Sequence, residues 1–301
     1  MSDQERAEAP SAATGGRPGF NSLLNSAMVM TGRNLRPLAI WMLPMLVVAA
    51  LAEVLSYSAV FMATGSLAMS GFLTAAGMIL DLLNTYVLGA FVTLGIVNSV
   101  LDHGAIRMRG LAWPGLDGRA WRMAGVGLLL TLLLAAGWVG SVLVVSLVSH
   151  SPVVLAVAFA VVLLAIIWIY IRLLPWPPAI ARGRRLGPGG VWRLTAGHTI
   201  RLGGSLLLLA LLMAFVGVVV FVAGGAIATG AIALSAGTSL AWVVTTLVVA
   251  AGVAGVAFLY VFGFGLFAIF TALVYGRLSG DGPPAPDAAG PEDDGTPVAN
   301  P

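Results

Sequence analysis

Long apolar runs alternate with short polar connectors along this chain. A helix crossing a bilayer needs about 20 apolar residues at 1.5 Å rise each. Six runs reach that length, at about residues 38–60, 79–101, 123–148, 153–174, 205–227 and 243–275. The last is over-long, so it is either tilted or broken at Phe262-Gly263-Phe264-Gly265, which would add a short seventh element. The pattern predicts an all-α fold, a polytopic transmembrane helical bundle of about six spans.

Two connectors have a different rhythm. Residues 20–36, FNSLLNSAMVMTGRNLR, are mildly amphipathic and read as a lead-in lying at the membrane surface. A helix starting at Val191 would place Val191, Leu194, Thr195 and Leu202 on one side. Arg193, Gly197 and Arg201 would share another, with Trp192 flanking at headgroup level. Both are expected to be interfacial helices on the cytoplasmic face. The ends, residues 1–19 and 278–301, are polar or rich in Pro, Gly, Asp and Ala and read as disordered tails. That leaves 20–277 as a single transmembrane domain. No apolar stretch lies at signal-peptide distance, so no cleavable signal is expected.

Composition supports this picture. The chain of 301 residues is 59% hydrophobic and only 9% charged, where a soluble domain carries about 25% charge. Mean hydropathy is +1.00. So few charges cannot cover a soluble fold of this size, whereas lipid can.

The 15 basic residues are all Arg, and Cys is absent. This removes Schiff-base and P-loop lysines, thiol nucleophiles, disulfides and thiolate metal sites. Arg6, Arg17, Arg33 and Arg36 precede the first span. Arg107, Arg109, Arg119 and Arg122 separate the second and third. Arg172, Arg182, Arg184, Arg185, Arg193 and Arg201 separate the fourth and fifth, and Arg277 closes the sixth. The alternate connectors, about residues 63–77, 149–152 and 228–241, hold none. The positive-inside rule puts the arginine side and both termini in the cytoplasm. The basic pI is thereby a matter of topology, and nucleic acid is not an expected partner.

Three connectors share Gly-x-x-x-Arg before an apolar run: Gly32–Arg36, Gly118–Arg122 and Gly197–Arg201. Their period near eighty residues would fit three helical hairpins, each with Arg snorkelling at its start. The plain alternative is that Gly and Arg are common here.

Two groups of polar residues are candidate sites. Arg182, Arg184, Arg185, Trp192, Arg193 and Arg201 could hold an anionic lipid headgroup or a membrane-protein partner, or act only as topology signals. Glu53, about 22 Å along the first span from Leu38, could converge with Asp81, Asn84 and His150 near the outer face. Such a group could form a proton or cation site, because ionisable residues inside a bilayer are costly. The alternative is that Glu53 and Asp81 sit at the headgroups and are hydrated. His103, His150 and His198 show no zinc spacing, so no metal is expected, and no cofactor. The glycines of the last two spans, among them Gly224, Gly225, Gly252 and Gly255, read as packing positions inside the bundle.

No HExxH, G-x-S-x-G or Walker pattern occurs. No polar stretch approaches the roughly 50 residues of a separate domain. At residues 178–202, PAIARGRRLGPGGVWRLTAGHTIRL, the chain resembles a group of uncharacterised bacterial six-span inner-membrane proteins. These are similar to the membrane domain fused to some glycerophosphodiester phosphodiesterases. Pro178, Ala179 and Ala181, then Trp192, Arg193, Leu194, Thr195 and Gly197, carry the resemblance. It implies a membrane module and no phosphodiesterase activity, since the catalytic barrel has no counterpart.

Three functions stay open on these grounds. The first is a non-catalytic module associating with lipid or protein. The second is a small transporter or channel using Glu53 and Asp81. The third is an intramembrane lipid enzyme, for which no nucleophile is evident.

Overall fold

In lipid every backbone N–H and C=O must be satisfied within its own segment, so apolar runs of this length fold as helices. The computed structural model describes residues 20–62, 66–103, 118–148, 151–235 and 237–280, and among them there is no strand. Helix α1 (Phe20–Arg33) leads into α2 (Leu35–Met62). The second span begins as α3 (Leu67–Leu82), passes through a π-helical turn at Leu83–Leu88 and continues as α4 (Gly89–His103). The third and fourth are α5 (Gly118–Val148) and α6 (Pro152–Leu173). Two short helices, α7 (Trp176–Ala181) and α8 (Pro188–Leu194), connect them to α9 (Thr199–Ser235) and α10 (Ala241–Ser279). Six of these segments are long and apolar enough to cross a membrane. The chain is an all-α, multi-pass integral membrane protein whose spans contact the lipid bilayer.

Several expected boundaries move. The second span starts at Leu67, not near residue 79, because Ser66 caps its N-terminus and accepts from the Met69 amide. Most of the expected 63–77 connector is therefore helix. The fifth span reaches Ser235. The sixth is one unbroken helix through Phe262–Gly265, so no seventh element forms. Its glycines are tolerated because neighbouring helices press on them: a Cβ on Gly265 would lie 2.8 Å from Leu38 Cδ1.

The helix expected from Val191 is two pieces. Gly197 adopts a left-handed φ of 81°, which ends the first turn and lets Thr199 start the fifth span. The expected apolar side survives the break, since Val191, Thr195 and Leu202 are all buried. Helix α1 buries Leu24, Ala27 and Thr31 and packs on α10 and α9, so this face meets protein rather than headgroups. Residues 1–19 and 281–301 lie outside the described residues.

Each odd span packs against the even span that follows, giving three antiparallel hairpins, α2 with α3, α5 with α6, and α9 with α10. The hairpins pack tightly at one end only. Leu38, Met42 and Met45 of α2 are buried there with Leu94, Ile96 and Val100 of α4. Leu266, Ile269, Phe270 and Tyr275 of α10 complete this core. The described arginines lie at the same end. Towards the other end the helices separate, and the most apolar stretches of the third and fourth spans bury no residue at all. A Cβ on Gly224, Gly225 or Gly252 would meet nothing within 4 Å. These three glycines are therefore not the packing positions expected, whereas Gly255 does face Val220 at 3.4 Å.

Candidate functional site

The arginine end is built around Arg172, in the last turn of α6. Trp168 lies one turn earlier on the same face. Trp192 reaches the same point from α8. The Arg172 guanidinium carbon sits 5.3 Å from the Trp168 ring centre and 5.1 Å from that of Trp192. The two indoles meet edge to face at 4.8 Å. Arg172 Nη1 donates to the Trp192 carbonyl at 3.2 Å. The Thr195 hydroxyl lies 3.2 Å from the Arg172 carbonyl. Cation–π contacts of this kind contribute about 0.5–2 kcal/mol each, more as water is excluded. Arg172 thus latches α8 to α6.

The six predicted lipid or partner residues do not share one environment. Arg182 forms an ion pair with Asp102 at the end of α4, and Arg184 is also engaged. Arg185 is exposed. Arg193 is exposed, with its Nε donating to the Gly189 carbonyl at 3.4 Å. Arg201 is exposed in the first turn of α9. Trp192 belongs to the Arg172 latch. Beside that latch, between α6 and α9, runs an open groove of about 580 Å³. Leu164, Ile167, Trp168 and Ile171 form one wall, and Ile200 and Gly203 the other. The walls come close because Gly203 has no side chain; a Cβ there would be 3.1 Å from Ile171 Cδ1.

The second predicted group is only partly assembled. His150 lies outside the described residues. Glu53 is exposed on α2. It is turned off the α2–α3 seam, where Gly77 fits against Ala52 and Ser56. Asp81 and Asn84 do not open the second span at the outer side, because the helix has already run from Leu67.

Their depth follows from ring contacts. Tyr170, two residues before Arg172, stacks on Phe267, and Asn84 Nδ2 reaches the Tyr260 hydroxyl at 3.5 Å. Counting along α10 and then one turn along α3 puts Asp81 roughly 18 Å from the level of Arg172 at 1.5 Å per residue.

Asn84 is 1% exposed and its Oδ1 has no hydrogen-bond partner. One turn nearer the arginine end lies a cavity of about 180 Å³. Thr85, Tyr86, Tyr170, Trp176, Phe264 and Phe267 are among the side chains lining it. The Trp176 indole is held in place by donating to the Leu186 carbonyl at 3.0 Å.

Sequence reasoning missed Tyr260, Trp168, the role of Arg172 and the cavity aromatics. Only the Trp168–Arg172 pair carried a readable signal, a spacing of four on one helix face. Among the described residues no cluster of His, Asp or Glu could hold a metal ion. No family model, curated protein or solved structure matches the chain.

Proposed function

We propose that this protein is a non-catalytic module of the bacterial cytoplasmic membrane that binds anionic phospholipid at its arginine end. The observation that carries this reading is the α6–α9 groove, an apolar channel that opens beside the Arg172 latch. The groove walls suit an acyl chain. Arg193 of α8 and Arg201 of the first turn of α9 are exposed and suit its phosphate. Interfacial Trp and Arg are the residue types expected at headgroup level. The positive-inside rule places this end in the cytoplasm, where the anionic leaflet attracts basic residues by about 1 kcal/mol each. The resemblance to the phosphodiesterase-associated membrane domain supports a module of this kind without an activity of its own.

The test is native mass spectrometry of the full chain from nanodiscs containing equal phosphatidylglycerol and phosphatidylcholine. The wild type is expected to retain phosphatidylglycerol preferentially. The double variant Arg193→Gln and Arg201→Gln is expected to lose that preference. Equal retention of both lipids by the wild type, or an unchanged preference in the variant, would overturn the reading and reduce these arginines to topology signals.

A further inference from the structure

Three arginines of the α7–α9 region carry charge that the bundle does not balance. Arg185, between α7 and α8, Arg193 of α8 and Arg201 of α9 are all exposed. None of them meets a carboxylate among the described residues, where Asp102 is already taken by Arg182. Like charges gathered on one face attract a counter-charge. The chain holds one that starts at the same end. Residues 281–301 contain Asp281, Asp287, Glu292, Asp293 and Asp294 and no basic residue. Residues 1–19, by contrast, mix Asp3, Glu5 and Glu8 with Arg6 and Arg17.

The register of the last hairpin shows how near this segment starts. A Cβ on Gly263 would meet Met213 at 2.7 Å, and one on Gly255 would meet Val220 at 3.4 Å. Carried on from Met213 and Gly263, this antiparallel register sets Arg201 level with Tyr275, two residues before Arg277. Helix α9 packs on α10 and α6, and α6 packs on α8. Neighbouring helix axes lie about 8–10 Å apart. Arg201 is therefore about one helix spacing from the end of α10, and Arg193 no more than about three, roughly 30 Å. Helix α10 ends at Gly280. The twelve residues from there to Glu292 span up to roughly 40 Å at 3.3 Å each, so the acidic run is within reach.

We infer that the run Glu292-Asp293-Asp294 docks on Arg185, Arg193 and Arg201 and competes there with anionic headgroups. The competition rests on the lipid reading above; the docking does not. Exposed ion pairs are individually weak and fade with salt. The contact therefore depends on three carboxylates acting together and on the tether, which makes the binding intramolecular. Such a contact is reversible, so a lipid phosphate can displace it.

The chain has no cysteine, so a pair can be introduced to carry spin labels, Gly187→Cys at the start of α8 and Thr296→Cys beside the acidic run. Gly187 is exposed, and a Cβ there meets nothing within 4 Å. Double electron–electron resonance on the full chain in phosphatidylcholine nanodiscs is expected to show a short-distance peak. The peak should be lost in the neutral-tail variant Glu292→Gln, Asp293→Asn, Asp294→Asn. It should also be lost in the variant Arg185→Gln, Arg193→Gln, Arg201→Gln, and at raised salt. Exchanging half of the lipid for phosphatidylglycerol should reduce it. Native mass spectrometry from those mixed nanodiscs should find at least twofold more phosphatidylglycerol on the neutral-tail variant than on the wild type.

A distance distribution shared by the wild type and the neutral-tail variant in phosphatidylcholine would overturn the inference, as would a peak that survives loss of the three arginines. So would a wild type that prefers phosphatidylglycerol no less than the neutral-tail variant does. Failure of the lipid reading looks different. No preference for phosphatidylglycerol in either protein, with the peak present in phosphatidylcholine, would refute that reading and the competition with it, while upholding the docking.

Discussion

The tight end of the bundle depends on Gly95, where α4 passes directly beneath the indole of Trp41. A Cβ on Gly95 would lie 2.0 Å from Trp41 Cζ3, 2.7 Å from Cη2 and 2.9 Å from Cε3. Ordinary carbon contacts are about 3.5–4.0 Å, so the ring must retreat by roughly 1.5 Å. Trp41 packs on the buried cluster of Leu38, Met42 and Ile96, and a retreating ring gives up those contacts. Gly95→Val therefore overpacks the base, at a cost of about 1–3 kcal/mol. Helix propensity returns only about 0.4 kcal/mol of that, since Val is a poorer helix former than Ala. The net expectation is a loss of about 1–2 kcal/mol, measured by reversible unfolding in mixed micelles. A double-mutant cycle with Trp41→Ala makes the test specific. Removing the indole relieves the clash, so Trp41→Ala should cost at least about 1 kcal/mol less in the Gly95→Val background than in the wild type. Distant, independent sites add within about 0.3–0.5 kcal/mol. Additive behaviour, or a Gly95→Val protein as stable as wild type, would refute the close approach of α2 and α4.

Three further outcomes are expected. Arg172→Lys should destabilise the bundle by about 1–2 kcal/mol, because an ammonium lacks the planar face that stacks between two indoles; thermal unfolding followed by tryptophan fluorescence would show it. The Arg182–Asp102 pair is part-exposed, so a double-mutant cycle with alanine should give a coupling below about 1 kcal/mol that shrinks as salt rises. Gly197→Ala should lose about 1 kcal/mol, since φ at this residue is 81° and a Cβ disfavours the left-handed region; Gly204→Ala, inside α9 with open space around it, should not.

The spans were legible because lipid leaves an apolar segment one backbone solution, and the arginine-free connectors fixed their pairing. Helix ends were less legible. The stretch 67–78 reads as a connector because Ser70, Gly71, Thr74 and Gly77 dilute its hydropathy. In the bundle those residues are assets. The Thr74 hydroxyl turns back to the Ser70 carbonyl at 2.9 Å, and Gly77 lets α2 and α3 touch. Misplacing that start by twelve residues put Asp81 at the opening of the helix, where the structure has it fourteen residues in. The partner of Asn84 was not legible at all, since Tyr260 is 176 residues away and nothing local marks it. At the arginine end, charge alone could not separate Arg182, which answers Asp102, from Arg193 and Arg201. That distinction depends on which helix ends meet.

Helix α6 is the common wall of the groove and the cavity. Leu164, Ile167, Trp168 and Ile171 face the groove, while Tyr170, Leu173 and Leu174 face the cavity. The residues interleave because a helix turns about 100° per residue. Its end is pinned by Arg172 to α8 and, through the Thr195 hydroxyl, to the turn that starts α9. Loosening the pin with Arg172→Lys is therefore expected to lower phosphatidylglycerol retention in the groove, because an ammonium cannot stack on both indoles and hold the wall in place. Unchanged retention in that variant would mean that the groove keeps its shape without the latch.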